Sequence, residues 1–141
     1  MADQSNSLRV RLVSPERILF DTTADAVELP AKNGYMEVLY GHAPLLAELG
    51  AGDVRLHGGA EGGEQIYNVS WGFVEVLPDR VTILANDALK PEEIDVPRAE
   101  EQLERGHKEW NEAGDSEEKY AEALHVIAEA EAKLATAQEK H

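Results

Sequence analysis

The stretch Lys90-Pro91-Glu92-Glu93-Ile94-Asp95-Val96-Pro97-Arg98-Ala99, KPEEIDVPRA, decides the fold, because the hydrophobic period changes across it. Before it, Leu8, Val10 and Leu12 alternate with Arg9, Arg11 and Val13; Val74 and Val76 flank Glu75, and Val81 and Ile83 flank Thr82. A period of two is that of a strand with one buried and one wet face. After it, Val96, Ala99, Leu103, Gly106, Trp110 and Ala113 recur alternately three and four residues apart. That spacing is the seam of a helix packed along another helix. The stretch itself reads as a helix start. Asp95 suits an N-cap, and Pro97 fits the first turn, where its missing N–H has no helical partner. The Asp95 carboxylate also suits the positive end of the helix dipole, whereas the charge of Arg98 does not. Arg98 therefore asks for a second explanation, and a carboxylate with a guanidinium three residues on raises that of a nucleotide clamp.

Upstream, residues 8–85 read as short strands separated by turn signals: Ser14-Pro15, Asn33-Gly34, Gly58-Gly59, Gly62-Gly63 and Pro78-Asp79. Such spacing predicts a β-sandwich or flattened barrel. Downstream, Gly114-Asp115-Ser116 interrupts the helical pattern and offers a new cap. A second helix is predicted from about Glu117 to Glu139, with Tyr120, Leu124, Ile127 and Leu134 as its apolar stripe. The short connection predicts an antiparallel hairpin. Seven alanines between residues 121 and 137 secure the helix but bury little surface. A weakly docked arm is one expectation; a plain solvent-flanked hairpin is the other. The fold class is α+β, with a β-sandwich over residues 1–88 and an antiparallel two-helix hairpin over residues 89–141.

Composition narrows the function. The 141 residues carry a formal net charge of −15, with 13 acids and 6 bases in residues 1–88 and 15 acids and 7 bases in residues 89–141. A field of that sign repels phosphate backbones and disfavours nucleic acid as a partner. There is no cysteine, so disulfides, thiolate nucleophiles and cysteine metal sites are excluded. No apolar run approaches the roughly 20 residues that cross a bilayer, so direct membrane insertion is not expected. The polar start MADQSNS has no signal core, and nothing in it suggests export.

Candidate chemistry is sparse. An enzyme reading makes His42 a general base with Asp53 or Ser70 beside it, yet no second catalytic element stands at a recognisable spacing. A histidine in a Gly-Pro turn is more often a structural or interface residue. Gly58-Gly59-Ala60-Glu61-Gly62-Gly63 lacks the Lys-Ser/Thr ending of a phosphate loop and reads as a hairpin connection. His42, His57, His107, His125 and His141 have no metal-ligand spacing. No catalytic residue and no metal ligand is expected.

Several ordered motifs carry a resemblance. They are Val13-Ser14-Pro15-Glu16, Leu19-Phe20, Val27-Glu28-Leu29-Pro30 and Gly41-His42-Ala43-Pro44-Leu45-Leu46. Gly50-Ala51-Gly52-Asp53-Val54-Arg55, Gly72-Phe73-Val74-Glu75-Val76, Val81-Thr82-Ile83-Leu84-Ala85 and Ile94-Asp95…Arg98-Ala99 complete the series. Over nearly its whole length the sequence resembles the epsilon subunit of bacterial F-type ATP synthase, the counterpart of the mitochondrial delta subunit. GHAPLL is the most specific motif.

The resemblance implies a non-catalytic rotor subunit. Its β-domain would bind the gamma subunit and the membrane ring of c subunits, coupling proton flow to ATP synthesis. Its helices would reach the alpha and beta catalytic subunits when extended. It further implies a peripheral location at the cytoplasmic face of the bacterial plasma membrane. The loop Lys32-Asn33-Gly34-Tyr35 aligns with the family's c-ring contact, and the Asn-Gly pair is expected to give the turn its positive φ. Family members often carry acids there; this chain offers Lys32 and Tyr35. Gly41, His42, Ala43, Pro44 and Leu45 fall near the family's gamma and c contacts, with Tyr40 standing where Pro is usual.

Some bacterial members bind ATP through the segment matching Asp95, Arg98 and Ala99. Arg98 would meet a phosphate, Asp95 would accept from the nucleotide or orient Arg98, and the small Ala99 would leave room. Those members add basic groups from the second helix and an acid upstream. Here the upstream position is Leu89, and the best-aligned second-helix positions are Glu129 and Lys133. The expectation is millimolar regulatory ATP binding or none, and no other cofactor. Inhibitory second helices tend to be basic, but residues 117–141 are mainly acidic, so weak inhibition of ATP hydrolysis is expected. Two competing readings are a stand-alone ATP-sensing switch and a small hydrolase centred on His42.

Overall fold

The computed structural model describes residues 7–60 and 62–139. The chain divides into two compact units, Met1–Lys90 and Pro91–His141. The division falls after Lys90 rather than after residue 88, because the last strand runs to Leu89, whose partner is Asn68.

The first unit contains β1 (Leu8–Val13), β2 (Ile18–Ala24), β3 (Ala26–Ala31), β4 (Gly34–Leu39), β5 (Leu45–His57), β6 (Glu64–Leu77) and β7 (Arg80–Leu89). They hydrogen-bond in the order β2-β1-β7-β6-β5-β3-β4; only β1 and β7 run parallel. Leu8, Val10 and Leu12 near one edge share a single core with Val27, Leu29 and Val38 near the other. Residues so far apart in strand order meet only if the sheet folds over, which makes it a sandwich.

The fold line crosses the three longest strands. Leu49 pairs with Gly72 and Ala51 with Ser70, leaving Gly50 and Trp71 opposite one another. Ser70 pairs with Asp87 and Gly72 with Ala85, leaving Asn86 at the same level. Trp71 has φ 59° and Gly72 φ 130°. Two such residues inside a strand break its pleat and re-aim it, as a bulge does. Buried positions accordingly change parity: Leu49 against Val54 and Leu56, Val69 against Val74 and Val76, and Val81, Ile83 and Ala85 against Ala88. Both halves of each strand thus face the same core.

The second unit begins with a 3-10 turn, Pro91–Glu93, followed by α1 (Val96–Asn111) and α2 (Glu117–Glu139). Trp110 packs edge-on against Tyr120, with ring centroids 4.6 Å apart. Farther from the loop, a Cβ at Gly106 would lie 2.7 Å from Ile127 Cγ1. These pairings run in opposite directions along the two helices, so the hairpin is antiparallel. Its buried seam is made of small residues, Ala99, Gly106 and Ala113 against Ala123, Ala130 and Thr136.

Two sequence expectations need correction here. Leu124 is 52% exposed, because the stripe runs through 120, 123, 127, 130 and 134, and Leu124 lies about 100° from Ala123 around the helix. Val96, expected in the seam, lies at its open end and is exposed, whereas Trp110 meets α2 through Tyr120 near the loop while staying 39% exposed.

Candidate functional site

In the first unit the predicted contact residues form two patches. Lys32 and Asn33 are the central residues of the β3–β4 turn, closed by the Ala31–Gly34 pair. The positive φ expected from the Asn-Gly pair falls on Gly34 alone, at 134°, and Asn33 keeps a negative φ. Gly at the last position of such a turn relieves crowding where the chain re-enters the strand. Lys32 is tied to β5: its N–H donates to Glu48 O at 2.9 Å and its Nζ lies 3.4 Å from Glu48 Oε1. Both side chains are mostly exposed, so this pair positions more than it stabilises. The Tyr35 hydroxyl accepts from Asp53 N at 2.8 Å and lies where a Gly52 Cβ would stand. Gly52 is what allows the ring to cross the strand.

The second patch lies at the other end of β4, six residues or about 20 Å along the strand. Gly41 N–H donates to Pro78 O at 2.7 Å and His42 N–H to Leu39 O at 3.1 Å. His42 Nδ1 donates to the neighbouring Ala43 O at 2.6 Å, while Asp53 pairs with Arg55 at 3.4 Å. The Ser-His-Asp geometry of nucleophilic catalysis is therefore not assembled around His42. Ala43, Pro44 and Leu45 continue outward, and Leu46 is 71% exposed.

Pairing places a further surface between the patches. Ile18 pairs with Val13, Val13 with Leu84, Leu84 with Phe73, and Phe73 with Glu48. Ile18, Leu84 and Phe73 are each more than half exposed, although Ile83 and Ala85 beside Leu84, and Val74 beside Phe73, are core. A contiguous apolar row across several strands is the mark of a contact surface. Phe73 and Leu84 were missing from the predicted contact residues. Their parity held the signal, since Val74 and Ile83 face inward.

In the second unit Asp95 is the N-cap of α1, and its Oδ1 accepts from Arg98 N–H at 3.1 Å. A cap of this kind contributes about 1 kcal/mol. Arg98 is exposed. Ala99 is 2% exposed and belongs to the helix seam, so the room expected beside it is filled. Lys133 lies at the same end of the hairpin, but its Nζ is 3.1 Å from Glu129 Oε2 on the preceding turn. Among the described residues no group of His, Asp and Glu is arranged to hold a metal ion.

Comparison with known proteins places this geometry. The family model for the ATP synthase delta/epsilon chain β-sandwich domain matches residues 7–91. The ATP synthase epsilon chain of Solibacter usitatus is 43% identical over 136 residues, covering 96% of this chain and 98% of that one. That of Koribacter versatilis is 39% identical over 110 residues, covering 78% of this chain and 76% of its own. Among solved structures, a chain of the Euglena gracilis mitochondrial ATP synthase (OSCP/F1/c-ring) superposes with a TM-score of 0.76 at 21% identity. It covers 92% of this chain and 81% of its own, and supports the fold alone. On the β-sandwich match and the near-full-length relatives, the chain belongs to the ATP synthase epsilon-chain family.

Proposed function

We propose that this chain is a rotor subunit whose β-sandwich docks on the gamma subunit and the c ring of an F-type ATP synthase, so that proton flow is coupled to ATP synthesis. Family membership makes it an accessory subunit rather than a catalyst in its own right. The observation that carries the docking reading is the exposed apolar row Ile18–Val13–Leu84–Phe73. Tyr35 in the loop expected to meet the c ring, and Leu45 and Leu46 in the second patch, add further apolar exposure. The partner assignment is tested by binding of the purified chain to purified gamma. Saturable binding supports it, and its absence at high micromolar concentrations overturns it. Attachment would be peripheral, at the cytoplasmic face of the membrane, as the resemblance to the epsilon subunit implies; no helix among the described residues is long and apolar enough to cross a membrane.

The hairpin would be a weak regulator. Residues 117–141 carry Glu117, Glu118, Glu122, Glu129, Glu131 and Glu139 against Lys119, Lys133 and Lys140. An acidic arm has little attraction for acidic segments of the catalytic subunits. Removal of residues 89–141 from the assembled enzyme is expected to change ATP hydrolysis little. A rise of about tenfold or more, roughly 1.4 kcal/mol of released inhibition, would contradict this.

ATP would bind in the millimolar range or not at all. Asp95 is engaged in its cap and Lys133 lies against Glu129, which leaves Arg98 as the main phosphate complement. Calorimetric titration of ATP into the purified chain is expected to show no micromolar binding. Micromolar binding that disappears in Arg98→Ala would establish a clamp and revive the switch reading.

A further inference from the structure

Beside the apolar row lies a charged one. Arg11 pairs laterally with Asp21 on one side and Thr82 on the other, Thr82 with Glu75, and Glu75 with Leu46. One step further along, Arg9 pairs with Arg80. Arg9, Arg11, Arg80, Asp21, Glu75 and Thr82 line an open depression of about 350 Å³. Half of the six bases in residues 1–88 thus gather on one patch of a chain whose net charge is −15.

Their pairing is uneven. Arg9 Nη2 lies 3.1 Å from Asp21 Oδ1. Arg11 and Arg80 have no ion-pair partner among the described residues. They stand diagonally across the β1–β7 ladder, with Cα atoms about 8 Å apart. An unpaired guanidinium presents a planar fork of donors that matches a carboxylate, and two of them about 8 Å apart can each take one carboxylate of a single partner surface.

We propose that Arg11 and Arg80 form the electrostatic half of the stalk interface and take two carboxylates from the protein that covers the apolar row. The proposal rests on the docking reading given above and deepens it. Two observations select an acidic protein segment as the occupant. The depression is net positive, with three arginines against Asp21 and Glu75, and it adjoins an apolar strip that a protein surface covers at the same time. On a strongly acidic chain this patch is also where an acidic partner meets attraction, so it fixes the docking orientation as well as adding affinity.

The test is the dissociation constant of the purified chain for purified gamma, measured at low and high salt for wild type, Arg11→Glu/Arg80→Glu and Arg11→Lys/Arg80→Lys. Circular dichroism checks the fold of each. The charge reversal is expected to weaken binding about tenfold or more at low salt and to flatten its salt dependence, with the lysine variant in between. An unchanged affinity and salt slope in the charge reversal overturns the proposal and leaves the docking reading standing. Wild type that fails to bind gamma overturns both. Concentration-dependent self-association of wild type that is lost in the charge reversal would assign the patch to a second copy of this chain, and so overturn the partner named here.

Discussion

Phe73→Glu combined with Leu84→Glu is expected to abolish binding to gamma while leaving the sandwich folded. Both side chains are 53% exposed and point away from the core formed by Val74, Ile83 and their neighbours. They are direct cross-strand partners, so they act as one patch. Burying a large apolar side chain contributes about 1.5–3 kcal/mol, and a carboxylate in its place would be desolvated without a partner. The pair should therefore lose at least about 4 kcal/mol of binding, close to a thousandfold. Neither side chain belongs to the core cluster, and repulsion between carboxylates directly opposite in the ladder costs up to about 1 kcal/mol, so the thermal midpoint should fall by no more than about 10 °C. The measurement is a pair of titrations with gamma, backed by a thermal melt. A double variant that binds within tenfold of wild type would show that the partner sits elsewhere on the sandwich.

Gly72→Ala is expected to destabilise the first unit strongly. Gly72 has φ 130°, a region that side-chain-bearing residues rarely enter, and an added Cβ would overlap Leu84 O in β7. The strained backbone alone costs about 1–3 kcal/mol. The overlap is with backbone, which moves only if the β6–β7 ladder opens. The sum should reach at least about 3 kcal/mol, a fall of roughly 15 °C for a domain of this size. Gly34→Ala separates the two causes. Gly34 has nearly the same φ, 134°, yet nothing lies within 4 Å of the added Cβ. It should lose only the conformational part. Equal losses in the two variants would mean that close approach to β7 is not what Gly72 provides.

The local signals were legible because they are short-range. Asp95, three residues from Arg98 N–H, was a cap in sequence and is one in space. The period of α1 named Ala99, Gly106 and Ala113, all of which are buried. Small size mattered more than the pattern could show. Once alanines and a glycine set the helix contact, the larger Leu124 was left out of it, and Trp110 meets α2 only near the loop, through Tyr120. The candidate site was only half legible. Residues 32–35 and 41–45 were proposed from their turns and motifs, whereas Phe73 and Leu84 look like ordinary strand residues until their neighbours are known.

The sequence by itself determined the change of period at Lys90-Pro91, the turn positions, the helix start and the sign of the surface charge. Each of these is set by residues within a few positions of one another, or by composition. Only the tertiary structure decided that β5, β6 and β7 reverse their inward parity at Gly50, Trp71 and Asn86, which folds one sheet into two layers. It alone brought Arg80 beside Arg9 and Leu84 beside Val13. Those contacts follow from a parallel pairing between the first and last strands, and no local period encodes which distant strand will complete a ladder.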